Sequence, residues 1–361
     1  MEATESRLTE LIARIEDIDL QAITGARERQ DRLTKPRGSL GRLEQIAVQL
    51  AGIRGDPLPQ ITEKVIITMA GDHGVVAEGV SLYPQAVTAQ MVHNFLAGGA
   101  GVNVLARHVG ARVVVADLGV AAQLSGPSTA SPSCRFLGKK VRWGTDNMRR
   151  GPAMSREEAL ACLQAGVEVL EEAGRGADIV GIGEMGIGNT TSASAICALL
   201  TASPVTEVTG RGTGLDDEAL RHKVEVIELA LAVNRPNPAD AIDVLAKVGG
   251  CEIGGMAGAM LAAAAHRLPV VLDGFICGAA ALIACALAPR LRGYLIASHQ
   301  SVEVGHSRLL RHLGLTPILK LDLHLGEGTG AALGIFMAEA AARILNEMAT
   351  FAEAGVSSKE N

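Results

Sequence analysis

Residues 178–191 read D-I-V-G-I-G-E-M-G-I-G-N-T-T, an order typical of a strand, a glycine loop and a helix start. The aliphatic residues at its beginning predict a short strand over 178–181, and Asn189 followed by two threonines is a common helix start. Three of its glycines also spell G-x-G-x-x-G, a pattern of dinucleotide-binding loops. A carboxylate, Glu184, stands in the middle of that pattern, where it would repel a pyrophosphate.

The same order of strand, polar turn and helix recurs along the chain. It predicts an α/β fold with a Rossmann-like, mainly parallel sheet flanked by helices. Right-handed crossovers would then bring the polar turns to the carboxyl ends of the strands, where ligands collect. The strand candidates are residues 64–70, 112–117, 178–181, 269–273, 291–298 and 316–325.

The two ends of the chain lack strand signals. Residues 1–59 predict helices, and a C-terminal helix over about 330–348 can pack on them. We therefore expect a large Rossmann-like catalytic domain over 60–330. We expect a small helical domain from 1–59 together with 331–361.

The amino-acid composition limits the kinds of binding partner and the cellular compartment that we expect for the protein. The chain has 33 basic and 39 acidic residues and no basic stripe interleaved with aromatics, so nucleic acid is not an expected partner. Six cysteines without a C-x-x-C pair predict buried, reduced thiols. The charged N-terminus lacks the features of a secretory signal, and the longest apolar run, 274–289, is short for a membrane span and predicts a buried helix. A cytoplasmic location is expected.

The glycine loop suits a single phosphate better than a dinucleotide. It lies midway along the chain rather than after the first strand, and no lysine follows Gly188 as a Walker pattern requires. Backbone N–H groups from Gly186 to Asn189, at a helix N-terminus, can cradle one phosphate. Glu184 would then face a cationic ring or a hydroxyl group.

A second carboxylate, Glu327, stands between Gly326 and Gly328 just before a predicted helix. Small neighbours allow a ligand to approach closely, which suits a general base, whereas an acid at this place can also cap the helix. Polar side chains alternate with leucines before it and predict a wet or interface-facing side of a strand rather than a metal site. They are Lys320, Asp322 and His324.

Seven motifs, in order and over nearly the whole chain, resemble those of the nicotinate-nucleotide:dimethylbenzimidazole phosphoribosyltransferase family. They are K35-P-R-G-S-L-G-R-L-E44, A70-G-D-H-G-V75, G183-E-M-G-I-G-N-T-T191, G249-G-C-E-I-G-G-M-A-G258, D273-G-F275, S298-H-Q-S301 and L325-G-E-G-T-G330. The resemblance implies transfer of 5-phosphoribose from nicotinate mononucleotide to a benzimidazole. It also implies a homodimer with a Rossmann-like sheet and a small helical domain. No cofactor or metal is expected, because nicotinate leaves as a neutral ring and needs no cation.

The resemblance further implies roles for individual residues. Glu327 would be the catalytic base. Contacts with phosphate, ribose or nicotinate would fall on Glu184, Gly186, Ile187, Gly188, Asn189, Lys223, Gly274 and Ser301. The pocket for the acceptor base would be lined by Ser81, Leu82, Tyr83, Gln90 and Leu325. The preferred acceptor, whether 5,6-dimethylbenzimidazole, benzimidazole, adenine or a phenol, stays open.

Two other classes of function remain open from the residues. An NAD(P)-dependent oxidoreductase would use the literal G-x-G-x-x-G, and binding of NADH would support it. A non-catalytic sensor of nucleotides or bases would bind tightly without turnover. The presence of Glu327 counts against the sensor.

Overall fold

A computed structural model describes residues 2–124, 134–212 and 214–357 of the protein. Within that part of the chain, six strands form one sheet. They are β1 Lys64–Gly71, β2 Arg112–Gly119, β3 Cys134–Gly138, β4 Ile179–Met185, β5 Val270–Leu272 and β6 Leu295–Ala297.

Helices occupy most of the remaining described chain. They are α1 Glu2–Ala13, α2 Leu20–Arg32, α3 Arg42–Arg54, α4 Ala86–Ala97, α5 Gly101–Val109, α6 Arg156–Ala173, α7 Asn189–Leu200, α8 Val205–Val208, α9 Asp217–Asn234, α10 Ala241–Val248, α11 Cys251–Ala265, α12 Phe275–Leu287, α13 Val304–Leu313, α14 Thr329–Glu347 and α15 Phe351–Ala354. Two 3₁₀ helices cover Gly74–Glu78 and Pro289–Tyr294.

The sheet has the strand order β3-β2-β1-β4-β5-β6, and every pair is parallel. This is the Rossmann order, so the predicted α/β fold is confirmed. The order reverses between β1 and β4. The crevice outside the carboxyl ends of those two strands is therefore the place where this topology collects ligands.

Helices cover both faces of the sheet, which explains why the central strands are almost wholly apolar. On β1, Val65, Ile67 and Met69 face one hydrophobic cluster, and Ile66 and Ala70 face the other. The first cluster lies beneath α6, α11 and α12, and the second beneath α3, α5 and α14. A parallel sheet buried on both sides gives the loops at its carboxyl edge a rigid support.

Strand β4 extends further than the sequence pattern predicts. Glu184 pairs with Met69 of β1 within the ladder, so this carboxylate lies on the strand and not in the following loop. Glycine is a poor strand former, and this weak propensity led to the shorter prediction. Pairing with β1 along its length overrides the local preference.

Two other strand predictions need correction. Strand β3 was not predicted; it is a five-residue edge strand whose side chains are only partly buried. The 291–298 candidate is a strand only over Leu295–Ala297, because its first part is the 3₁₀ helix. Short edge segments bury little apolar surface, so their periodicity is weak.

The 316–325 strand prediction is wrong. The segment runs beside the end of β6 and makes one isolated parallel bridge, His299 to Leu319. Pro317 removes a donor, and Asp322 has a positive φ of 54° that breaks the extended run. Its polar side chains at 320, 322 and 324 are exposed, as expected for a wet face.

Several helix and thiol predictions are confirmed. The N-terminal segment forms α1 to α3, the apolar run at 274–289 forms buried α12, and all six cysteines are free and buried. No helix in the described ranges has both the length and the apolar character needed to cross a bilayer. Helix α14 packs on α2 and α3 and also on β4 and β5. The division into two domains stays a prediction.

Candidate active site

The loop before α14 lies directly on the carboxyl end of β4. A Cβ atom at residue 183 would stand 2.3 Å from the backbone oxygen of Glu327, so only glycine permits this approach. The same backbone oxygen accepts a hydrogen bond of 2.7 Å from the hydroxyl of Thr68 on β1. The two central strands therefore place Glu327 at the crevice between them.

Glu327 has a strained backbone. Its φ is +66°, and both flanking glycines also have positive φ, 81° at Gly326 and 104° at Gly328. A non-glycine residue in this region costs about 1–3 kcal/mol and is concentrated at functional sites. The turn thus presents one carboxylate on a glycine support, as the sequence predicts.

The carboxylate of Glu327 is positioned by the start of α5. Its Oε2 accepts the N–H of Val102 at 3.1 Å, and the side chain is buried. Burial raises the pKa of Glu327, while the N–H groups of Val102 and Gly101 oppose that shift. A raised pKa makes the ionised group a stronger base.

Asp273, at the end of β5, holds the strained turn in place. Its Oδ2 accepts the N–H of Gly328 at 3.0 Å, and its Oδ1 accepts those of Gly330 at 2.6 Å and Ala331 at 3.2 Å. Burial raises the pKa of Asp273 to about 7, against the effect of these three donors. Gly274, the N-cap of α12, was the site residue predicted from the same D-G-F motif, and the aspartate was not predicted.

Glu184 lies beside the same turn. A Cβ at residue 326 would stand 2.3 Å from its Oε1, and its Oε2 accepts a hydrogen bond from the amide of Asn189. Burial raises the pKa of Glu184 to about 8, and the nearby carboxylate of Asp273 adds to the shift. Glu184 is therefore mostly protonated at neutral pH.

Replacing Glu184 by glutamine is expected to make thermal stability less dependent on pH. In the folded protein the pKa of Glu184 is about 8, above the usual 4.5. The protonated carboxyl group therefore contributes fully to the free energy of unfolding below pH 4.5, and this contribution is lost as pH rises to about 8. The melting temperature of Glu184→Gln minus that of wild type should therefore increase by about 2–5 °C between pH 5 and pH 8.5. Differential scanning calorimetry at both pH values measures this difference.

Glu347→Gln is the matched control, because Glu347 is exposed at the end of α14. Its melting temperature should follow that of wild type at every pH. A constant difference between Glu184→Gln and wild type from pH 5 to 8.5 would contradict the buried, protonated state of Glu184.

The loop between β4 and α7 is the predicted phosphate site. Helix α7 begins without a side-chain cap after Gly188, whose φ of +93° favours glycine, so the positive end of the helix is open. The N–H of Ile187 donates to the hydroxyl of Thr88 at 3.1 Å, and that of Asn189 to the backbone oxygen of Gly186 at 3.1 Å. Those two groups, which the sequence assigned to phosphate, are engaged within the protein.

Lys223 reaches the same helix start from α9. Its Nζ donates to the hydroxyl of Thr190 at 2.8 Å, and only 1% of the residue is exposed. Burial lowers the pKa of Lys223 to about 8, and the charge of Glu303 acts in the opposite direction. The structure thus brings a buried ammonium group to the predicted phosphate loop.

Ser301 is held by the segment before α13. Its N–H donates to Nδ1 of His306 at 2.9 Å, and its hydroxyl accepts the N–H of Glu303 at 3.3 Å. Burial lowers the pKa of His306 to about 3, so its ring is neutral and can accept this bond. Analysis of the sequence did not identify Glu303, which connects Ser301 with the surroundings of Lys223.

Of the residues predicted to line the base pocket, Leu325 lies beside the same residue as Glu327. Leu325 lies against Gly101, where a Cβ would meet its Cδ2 at 2.9 Å, and its side chain is 61% exposed. Leu82 and Tyr83 are also exposed, at 60% and 52%. Of the other two predicted pocket residues, Ser81 is half-buried and Gln90 is exposed. In the described part of the chain, Glu327 forms no hydrogen bond with any of these four residues.

Comparisons with known proteins agree with this geometry. A family model described as a phosphoribosyltransferase (DBI_PRT) matches residues 15–356. A nicotinate-nucleotide–dimethylbenzimidazole phosphoribosyltransferase of Desulforudis audaxviator (strain MP104C) is 59% identical over 98% of this chain and 99% of its own length. One of the same name from Geobacter sulfurreducens is 56% identical over 97% of this chain and 98% of its own length.

The crystal structure of CobT from Thermus thermophilus has a TM-score of 0.88 and 48% identity over 93% of this chain and 99% of that one. The family match, the sequence identities and the shared fold therefore agree. The protein belongs to the nicotinate-nucleotide–dimethylbenzimidazole phosphoribosyltransferase family.

Proposed function

We propose that the protein transfers 5-phosphoribose from nicotinate mononucleotide to 5,6-dimethylbenzimidazole or a related base. The products are nicotinate and α-ribazole 5′-phosphate, the nucleotide of the lower ligand of cobalamin. The observation that carries the proposal is the Glu327 carboxylate, which stands on a strained glycine turn at the switch point of the sheet. Family membership and the order of all seven motifs support it.

Glu327 acts as the general base in this proposal. One ring nitrogen of the benzimidazole attacks C1′ of the ribose with its lone pair, and the electrons of the breaking C1′–N bond return to the pyridine ring of nicotinate. Glu327 accepts the proton from the other ring nitrogen, so the product leaves as a neutral azole. The raised pKa of Glu327 favours this transfer.

The other buried groups serve the nucleotide. The start of α7 with Lys223 receives the 5′-phosphate, since a helix N-terminus and an ammonium group both stabilise an anion. Positive charge develops on the ribose as nicotinate departs. That charge favours the ionised form of Glu184 and lowers its pKa from about 8, and the ionised carboxylate stabilises the positive charge of the transition state.

The glycines of residues 181–188 explain why the oxidoreductase alternative is not favoured. The glycine pattern lies on β4 and its loop, whereas the dinucleotide fingerprint follows the first strand of the sheet. Gly183 is needed for the approach of Glu327, and Gly186 lies against the backbone oxygen of Gly71. These glycines therefore pack loops together and leave no pyrophosphate cradle around Glu184.

The deciding experiment is a chromatographic assay with nicotinate mononucleotide and 5,6-dimethylbenzimidazole, without added metal. Release of nicotinate with an equal amount of α-ribazole 5′-phosphate is expected. Binding of both ligands without either product would favour the sensor alternative. Parallel assays with benzimidazole, adenine and a phenol would identify the preferred acceptor.

We further propose that the protein is a cytoplasmic homodimer. Leu82, Tyr83 and Leu325 are exposed apolar side chains, and a second copy of the chain would cover them. Light scattering should give about twice the mass of the 37.3 kDa chain. A monomer at the concentration used in the assay would contradict the dimer and leave the catalytic proposal intact.

A further inference from the structure

Two sequence motifs without a role in the proposed reaction meet inside the protein. His73 belongs to A70-G-D-H-G-V75 after β1, and Glu252 to the glycine-rich segment that begins α11. Nε2 of His73 lies 2.6 Å from Oε1 of Glu252. Both side chains are almost completely buried, at 1% and 0% exposure.

The second ring nitrogen of His73 contacts α7. Nδ1 lies 3.0 Å from the hydroxyl of Ser192, so a Ser–His–Glu chain is formed. It is not a hydrolytic triad, because Ser192 is 1% exposed and its hydroxyl also donates to the backbone oxygen of Gly249 at 3.3 Å. A nucleophile needs both access to substrate and a free approach, and Ser192 has neither.

The His73–Glu252 pair lies against the predicted phosphate loop, Gly186–Gly188. A Cβ at residue 186 would stand 3.4 Å from Oε1 of Glu252, and one at residue 188 would stand 3.2 Å from Cβ of His73. Through Ser192 the imidazole also holds the first turns of α7, the helix that this loop begins. His73 and Glu252 therefore lie against the Gly186–Gly188 loop, and His73 also contacts α7 through Ser192.

Fold stability alone does not explain such a pair. Buried polar pairs are often no more stabilising than well-packed apolar residues of the same volume. Here the cost is increased because Oε2 of Glu252 is buried without a hydrogen-bond partner in the described structure. A Cβ at residue 71 or 250 would stand 2.6 or 2.8 Å from that oxygen, so only glycine at these two positions leaves room for the carboxylate.

We propose that His73 and Glu252 are positioning residues that hold the Gly186–Gly188 loop and the start of α7 in the conformation that receives the 5′-phosphate of nicotinate mononucleotide. This inference rests on the proposed function. The pair does not touch the reacting atoms. Its loss should therefore weaken binding of the nucleotide more than it slows the chemical step.

Two amide replacements of His73 separate its contacts. The amide nitrogen of glutamine in His73→Gln reaches the position of Nε2 and keeps the bond to Glu252. Asparagine in His73→Asn reaches only the position of Nδ1 and keeps the bond to Ser192. The KM for nicotinate mononucleotide should rise about 10- to 100-fold in His73→Asn, with a much smaller change in kcat, and should rise less in His73→Gln, which loses only the contact with Ser192.

Lys64→Met is the matched control. Lys64 begins β1 at the opposite end of the strand and forms a shielded pair with Glu339 at 2.5 Å, with side-chain exposures of 10% and 15%. Breaking this pair should lower the melting temperature without changing the KM. If His73→Asn does not fold, Glu252→Met, which keeps much of the side-chain volume but cannot form the hydrogen bond to His73, is measured instead and should also raise the KM.

The outcomes separate this inference from the proposed function. Unchanged KM in His73→Asn and Glu252→Met, or an equal rise in Lys64→Met, would overturn the inference while turnover continues. A rise in His73→Gln as large as in His73→Asn would overturn the role of Glu252. If wild type releases no nicotinate, the proposed function fails, and calorimetric titration with nicotinate mononucleotide then tests the inference by itself. Weaker binding by His73→Asn than by wild type would support the inference. Equal binding by the two proteins, or no binding by either, would overturn it.

Discussion

Replacing Glu327 by glutamine is expected to lower kcat by about 10²- to 10⁴-fold, the range for loss of a general base. Glutamine cannot take the azole proton, but its amide oxygen can still accept the N–H of Val102, so the turn should keep its shape. The KM values for both substrates should therefore change little. Nicotinate release at saturating substrates, measured by chromatography, gives the comparison with wild type.

A more acidic acceptor tests the role of Glu327 further. A nitro-substituted benzimidazole loses its proton more readily and needs less help from a base, so Glu327→Gln should lose less activity with it than with 5,6-dimethylbenzimidazole. Glu347→Gln, at the exposed end of α14, should retain wild-type kcat. An undiminished kcat in Glu327→Gln, or the same loss with both acceptors, would contradict proton transfer to Glu327.

Replacing Lys223 by methionine is expected to raise the KM for nicotinate mononucleotide by about 10- to 100-fold, as expected for loss of a hydrogen bond from a charged donor. Methionine keeps much of the buried volume but cannot bind the phosphate. The KM for the base should not change, because Lys223 contacts Thr190 at the phosphate loop. Initial rates with each substrate varied in turn measure both constants.

The pH dependence of the same constant identifies the charge of Lys223. Burial lowers the pKa of Lys223 to about 8, so the side chain loses its positive charge above pH 8. The KM of wild type for nicotinate mononucleotide should therefore rise above that pH. Glu184 titrates in the same range, and only the part of the rise that disappears in Lys223→Met belongs to the lysine. Lys247→Met removes a lysine paired with Asp243 on α10 and should behave as wild type. The role of Lys223 is rejected if the KM of Lys223→Met equals that of wild type at pH 7.

Local patterns identified the central strands and most helices, and they were less successful at the edge of the sheet. Strands β1 and β2 are long apolar runs because helices cover both faces, and that burial is visible in the residues themselves. The edge strand β3 lacks this signal. The 316–325 segment imitates it, since leucines alternate with polar residues, yet it stays mostly exposed beside β6.

The candidate site shows the same division. Glu327 could be predicted because its glycine neighbours and its place before a helix are local features. Asp273 could not be ranked above Gly274, because its three N–H partners come from a turn more than fifty residues away along the chain. Thr88, His73 and Glu252 were missed for the same reason.

The amino-acid sequence was sufficient to predict the α/β class, the family resemblance and Glu327 as the candidate base, because periodicity and short motifs are properties of neighbouring residues. The folded chain was needed to show that Glu184 lies on β4, that Asp273 supports the strained turn, and that His73 meets Glu252 beside the loop between β4 and α7. These features depend on burial and on contacts between distant segments. Such contacts exist only after the sheet has brought its carboxyl ends together.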